Sequence, residues 1–374
     1  MVFIVGGVLR VILLISTIYQ TTTALNVVVI STVPARSHYT FGNAMTMLLL
    51  ERGHKVFEVT TFHPAKPHPN RTSFIMENAF EHNDVDPSQI SHQTHAEAIL
   101  FLTDVSVEYC KKFLDSKAAT DLLAFARDPK RPQIHVVVHD YIFSQCFGPF
   151  ASEFDAPLVA MTAYGNPIEM DEYMGGPVFP GFIPHDIVVH PFEKPLGWLK
   201  RLENTYVYLL SFYTRYFKQY PEMDAQSRKF FGEHSPTIEE VNKKIVVGLV
   251  NSHPAIQGAR PQLPAVVQIG GFHVRPIRSL PAGKMKDFLD GAKDGFILMS
   301  FGSIVPVSKI EPWRRQALLR AFKRLSPLRI IMKWEVPWNE AENGLLPENV
   351  FLSSWIPQSD VQGKCHNNTE IIAI

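Results

Sequence analysis

A histidine and an aspartate stand where an α/β chain collects functional groups. His38 comes after the apolar run Leu25-Asn-Val-Val-Val-Ile-Ser-Thr32 and a short loop, and Asp140 closes the run His135-Val-Val-Val-His139. Continuous apolar runs of this kind belong to buried parallel strands, and open parallel sheets bind ligands beyond the carboxyl ends of their strands. Imidazole titrates near ~6.5 when unperturbed, so His38 can take a proton from a weak nucleophile such as an alcohol. A position at a helix N-terminus would keep it neutral and ready to do so. The plain structural alternative is that His38 caps the helix and Asp140 binds backbone amides.

Other residues carry weaker chemistry. Gly302-Ser303 lies between an apolar strand (295–301) and a helix expected to start between Ser308 and Glu311, a natural seat for a diphosphate. Ser308-x-x-Glu311 has the pattern of a capping box, and Pro312 is tolerable only in the first turn. Trp355 follows a strand at 349–353 and on its own reads as a core aromatic. His135 and His139 share a strand face, but no third ligand is in view and no metal site is expected. His92 and His95 lie in a polar, acidic stretch that reads as a solvated loop. Cys110, Cys146 and Cys365 are too few for a disulfide scaffold and too scattered for a zinc cluster.

The elements that must position these groups follow from periodicity. A strand at 25–32, a loop to 38, a helix at 39–52 with Gly53 behind it and a strand at 56–60 open a doubly wound α/β unit. Its loop lacks G-x-G-x-x-G, so a dinucleotide cofactor is not expected. Residues 196–220 are dense in aromatics with Lys and Arg interleaved; a helix packed on the domain is the favoured reading, and a helix against a membrane or a lipophilic pocket the sharper one. A Pro-rich linker (254–264) precedes a second unit with a helix at 285–292 and strands at 295–301 and 329–334. Trp313, Ala317, Ala321 and Leu325 share one face of its main helix.

Composition bounds the function. Lys+Arg 36 balances Asp+Glu 36, which leaves no basic excess for nucleic acid. The 374 residues suggest two domains, and Phe 26 with Pro 28 suits an apolar pocket walled by loops. An apolar block with Arg10 ahead of Thr21-Thr-Thr-Ala24 reads as a secretory signal peptide over residues 1–24, and the sequon Asn70-Arg-Thr72 fits a glycosylated lumenal chain.

Ser37-His38, Arg52-Gly53-His54, Asp140, Gly270-Gly271, Ser300-Phe-Gly-Ser303, Lys333-Trp-Glu335 and Trp355-Ile-Pro-Gln-Ser-Asp360 come in the order they hold in animal UDP-glycosyltransferases. The chain resembles that family as far as Asp360. The resemblance implies an α/β fold of the GT-B type, two facing Rossmann-like domains, with an acceptor domain at 25–275 and a partial nucleotide-sugar domain at 276–361. It implies His38 as base, oriented by Asp140. On the donor side, Trp355 would stack on uracil, Gln358 would bond the base or ribose, and Gly302 and Ser303 would meet the diphosphate. The substrates it implies are a UDP-sugar (glucose or glucuronate) and a small lipophilic alcohol, with inversion at the anomeric carbon and neither metal nor cofactor. Partners would be related transferases and a membrane surface, not nucleic acid, and the compartment the endoplasmic reticulum lumen. Residues 362–374 depart from the family pattern. They read as a divergent tail without designed structure, its sequon Asn367-Asn-Thr369 accidental, leaving the second domain incomplete and its sheet with an uncovered edge. An inert short isoform that binds lipophiles or full-length partners is the alternative reading.

Overall fold

A computed structural model describes residues 24–77, 93–165, 167–187, 196–257, 260–302, 307–366 and 371–373. Residues 1–23 of the expected signal peptide, His92, Ser303 and the sequon at Asn367 lie outside the described residues. The chain divides into two compact units, the first carrying most of the chain to Gly270 and the second running from Gly271 onward.

The first unit is built on seven parallel strands: β1 (Asn26–Ser31), β2 (Lys55–Thr60), β3 (Arg71–Ile75), β4 (Val136–Asp140), β5 (Leu158–Thr162), β6 (Ile245–Val250) and β7 (Val266–Gln268). They lie in the order β3-β2-β1-β4-β5-β6-β7. The order reverses between β1 and β4, which pair from Val27↔Val136 to Ile30↔His139. Val27 to Ile30 and Val137 to Val138 are buried, as a sheet covered on both faces requires.

Helix α1 (Arg36–Glu51) joins β1 to β2 and buries Phe41, Gly42, Met45, Thr46 and Leu50. It starts three residues before the expected 39, so His38 stands in its first turn and not in a loop. Gly53 ends it as expected: with φ +81 it occupies the left-handed region, its N–H donating to Leu50 O at 2.9 Å while His54 N–H reaches Leu49 O at 3.0 Å.

The stretch around His95 is not a loop. Helix α2 (His95–Leu114) begins there, with Thr94 as N-cap and Glu97 closing a reciprocal capping box, and α3 (Lys117–Arg127) follows. Cys110 of α2 is joined to Cys146 by a disulfide whose Cα atoms are 5.9 Å apart. Both sulfur-bearing residues are fully buried.

Helix α4 (Trp198–Thr214) continues through a π turn (Arg215–Gln219) into α5 (Tyr220–Phe231). It is packed on the unit, but by its more polar side: Asn204, Val207, Tyr208, Ser211 and Thr214 are buried. Asn204 takes His185 N–H at 2.7 Å and donates to Pro180 O and Ile183 O. Trp198, Leu202, Tyr206, Leu209 and Tyr213 recur on the opposite side, each more than half exposed. No helix among the described residues is long and apolar enough to cross a membrane.

The second unit has β8 (Phe296–Met299), β9 (Arg329–Lys333), β10 (Val350–Ser353) and β11 (Ile371–Ala373), parallel, in the order β10-β9-β8-β11. The tail is thus not structureless, and the edge of β8 is not left open: Ile371 to Ala373 pair with Phe296 to Leu298. The expected capping box also fails to form. Helix α6 (Pro312–Arg324) has Glu311 as N-cap with no side-chain bond, because Pro312 holds the first helical position and leaves Ser308 too far upstream. Ser308 instead donates to Glu335 Oε2 at 3.3 Å. Helix α6 buries Arg315, Leu319 and Phe322, while Trp313, Ala317, Ala321 and Leu325 face outward.

Candidate active site

The reversal of strand order between β1 and β4 opens a crevice at their carboxyl ends. His38, just beyond β1, and Asp140, the last residue of β4, meet there with Nδ1 and Oδ2 2.7 Å apart. The Asp140 side chain is fully buried and that of His38 is 12% exposed. A carboxylate only accepts, so Nδ1 carries the hydrogen and Nε2 is left with the lone pair. His38 therefore does not cap its helix, and Asp140 is spent on the imidazole. Asp140 Oδ1 has no hydrogen-bond partner among the described residues.

The electrostatics differ from the sequence expectation. Burial pulls the His38 pKa down, but the charge of Asp140 and its hydrogen bond together outweigh this, and the pKa ends above its ordinary value. The carboxylate, and not the helix terminus, decides the resting charge of the ring.

The pair depends on close packing of α1 on β1. A Cβ on Gly42 would fall 2.6 Å from Ser31 Oγ and 2.7 Å from Ser31 Cβ, so only glycine lets the helix sit this close to the strand. Ser31 Oγ reaches back to His38 O at 3.4 Å. Below, Arg71 of β3 grips Glu58 of β2 through Nε (2.7 Å) and Nη2 (2.9 Å), and Thr46 of α1 donates to Glu58 Oε2 at 3.1 Å. Arg71 Nη2 also bonds Asn43 Oδ1 at 3.0 Å, so one buried ion pair ties both strands to the helix that carries His38. Asn70, the sequon residue, lies in the turn just before β3.

The other strand histidines are occupied. His135 Nδ1 accepts Asn26 N–H at 3.0 Å. His139 is fully buried, and burial lowers its pKa to about 3, so it is neutral. Ser144 Oγ donates to Asp140 O at 2.7 Å and takes the hydrogen of His139 Nε2 at 3.1 Å. Among the described residues no group of three or more His, Cys, Asp or Glu could hold a metal.

The first unit also encloses a cavity of about 360 Å³, lined in part by Tyr141, Ile142 and Phe143 directly after Asp140. Sequence reasoning did not find its lining from α2, the helix Ile168–Tyr173 and α4, because those residues share no spacing pattern.

In the second unit the described donor candidates Gly302 and Trp355 stand beyond the carboxyl ends of β8 and β10, and Gln358 follows in the next helix. Gly302, beyond β8, has φ +78, and its carbonyl accepts from Lys333 Nζ of β9 at 2.5 Å. Trp355 stands beyond β10 and is 58% exposed, so it is not a core aromatic. Ser353 Oγ holds its carbonyl at 2.7 Å. Gln358, exposed, opens the short helix α7 (Gln358–Gln362), and Asp360 of that helix accepts Arg278 N–H at 2.8 Å.

The model of the UDP-glucoronosyl and UDP-glucosyl transferase family matches residues 11–371, and the chain belongs to that family. It is 28% identical over 370 residues to UDP-glucosyltransferase 2 of Dactylopius coccus, covering 96% of this chain and 67% of that protein. It is 24% identical over 346 residues to UDP-glucuronosyltransferase 2B7 of Homo sapiens, covering 86% of this chain and 62% of that one. The chain thus spans about two thirds of the length of these curated relatives. Its fold is similar to that of Arabidopsis thaliana UGT89C1 complexed with quercetin, with a TM-score of 0.51 at 15% identity, covering 94% of this chain and 74% of that one. The architecture is α/β of the GT-B type, with two Rossmann-like units.

Proposed function

We propose that the chain serves transfer of glucose or glucuronate from a UDP-sugar to a hydroxyl of a small lipophilic acceptor. The observation that carries this reading is the His38–Asp140 pair at the β1/β4 crevice. His38 Nε2 takes the acceptor's hydroxyl proton as the oxygen bonds to the anomeric carbon. The bond from that carbon to UDP breaks on the opposite face, UDP leaves with the electron pair, and the configuration inverts. Asp140 holds the imidazole in the required tautomer and stabilises the imidazolium that forms. No cofactor takes part.

On the donor side, the exposed indole of Trp355 is the surface for uracil, worth about 1–3 kcal/mol for a stacked base. Gln358 bonds the base or ribose, and Gly302 with Ser303 meets the diphosphate. The buried Cys110–Cys146 disulfide supports an oxidising compartment, the endoplasmic reticulum lumen, with a glycan at Asn70. The outward side of α4, aromatic and aliphatic with Lys200 and Arg201 at its start, supports peripheral attachment to a membrane surface. Association with related transferases belongs to the same reading.

The test is transfer to a simple phenol from UDP-glucose or UDP-glucuronate. His38→Ala should lower turnover by roughly 100-fold or more while calorimetry shows unchanged UDP binding. Turnover within a few-fold of the wild type would remove His38 from the reaction.

A further inference from the structure

Strand β4 outruns its neighbour at the residue that meets His38. Its pairing with β1 ends at Ile30↔His139, so Asp140 stands one residue beyond that ladder. On the other side Asp140 stays paired with Met161 of β5, and Tyr141 N–H donates to Met161 O at 2.8 Å. The chain then turns sharply. Phe143 has φ +53, a left-handed conformation that is costly for a bulky side chain and persists only where the surroundings impose it.

Ser144 supplies that constraint. It precedes the 3-10 turn Gln145–Phe147, where a serine side chain ordinarily caps the N–H groups that follow, yet it makes no such bond. Its hydroxyl instead donates to Asp140 O at 2.7 Å and closes the turn around Phe143. A carbonyl only accepts, so the hydroxyl hydrogen is committed there, and Ser144 Oγ takes the hydrogen of His139 Nε2 at 3.1 Å. Ser144 and His139 are both fully buried, and the His139 ring packs against Tyr141 and Phe147. Two residues further on, Cys146 is tied to Cys110 of α2. The far end of the turn is therefore fixed, and one hydroxyl passes that hold back to Asp140.

We propose that Ser144 is a positioning residue for the His38–Asp140 pair. Its hydroxyl holds the Asp140 main chain against the strained turn and so keeps Oδ2 at 2.7 Å from His38 Nδ1. Without it the turn relaxes away from the left-handed conformation and carries the carboxylate off the ring. Nothing else retains that carboxylate, because Asp140 Oδ1 has no hydrogen-bond partner among the described residues. A small shift is felt at His38, since a hydrogen bond weakens steeply as its geometry departs from linear. The inference rests on the reading of this pair as the base of a transferase, but the hold on the imidazole is measurable without any transfer.

His38 is the reporter. Among the described residues Asp140 is the one charged group that shifts its pKa, and it shifts it upward against burial. Loosening the pair lets burial dominate. NMR titration of the full chain, labelled at the histidine imidazoles and assigned against His38→Ala, follows the midpoint. Ser144→Ala should move it to lower pH, with the acid limb of phenol transfer following and turnover falling roughly tenfold, as the loss of one hydrogen bond implies. Ser144→Thr keeps the hydroxyl and should keep the midpoint. A role confined to stability would lower the unfolding temperature of Ser144→Ala and leave the midpoint at its wild-type value, and that result would overturn the proposal. Should Ser144→Ala not fold, Phe143→Gly is added to it, because glycine takes a positive φ without steric cost, and the double variant is read in the same way. A midpoint that moves in a chain without turnover would refute the transferase reading alone. Turnover in a chain whose midpoint stays in place would refute only the positioning role.

Discussion

Two effects compete at His38, and their balance is readable in solution. The side chain loses water on burial, which lowers its pKa, and gains Asp140, which raises it further than burial lowers it. A general base works in its neutral form, so turnover should fall as pH drops through this raised value. Asp140→Asn removes both upward contributions and leaves the burial, so the acid limb of the pH–rate profile should move to lower pH. The plateau should meanwhile fall roughly a thousandfold or more, because an amide can offer the ring its N–H and favour the wrong tautomer. An acid limb that stays in place would mean that Asp140 does not set the ionisation of His38. The residue types and positions of this pair were legible in the sequence. That they touch was implied only by the family resemblance, since the residues are 102 apart in the chain, and that the carboxylate overrides the burial was not legible at all.

At the scale of elements, the site is an outcome of how α1 lies on β1. Gly42→Ala tests this. In an open helix the change would gain up to about 1 kcal/mol. Here the added methyl group meets the Ser31 side chain, and overpacking of this kind costs about 1–3 kcal/mol. Thermal unfolding should therefore shift to lower temperature, and turnover should fall with it as His38 moves. A variant as stable as the wild type would show that the helix has room to give. Gly42 carried no sequence signal, since a lone glycine in a helical pattern does not say what approaches it. The start of α2 did carry one, Thr94-x-x-Glu97 ahead of an apolar run, and the acidic composition around it hid the pattern. The same pattern at Ser308 misled, because Pro312 fixes the helix start and the box falls outside it. β3 went unread because its five residues, RTSFI, follow neither a continuous apolar run nor a strict alternation.

For the whole molecule, the expectation concerns the compartment and what the outer surface does there. Expressed in a secretory cell, the chain should begin near Leu25, carry a glycan at Asn70 and hold Cys110 and Cys146 as a disulfide. It should sit on membranes through the outward side of α4 and come off with an alkaline carbonate wash. Mass spectrometry of the product, alkylated under denaturing conditions without reductant, checks the first three at once. Free thiols at both cysteines, or an intact residue 1, would place the chain outside the oxidising pathway.

By itself the sequence determined the class of the fold and the position of most strands, because apolar runs and periodicity are local and survive without knowledge of what they face. It also determined the family, through motifs whose order along the chain is itself the signal. Tertiary structure alone decided the rest. The Cys110–Cys146 bond, the aromatic side of α4 turned outward, the tail strand β11 against β8, and the lining of the cavity are each set by residues far apart in the chain. Their partners are chosen by packing, and packing leaves no periodic trace in a single sequence.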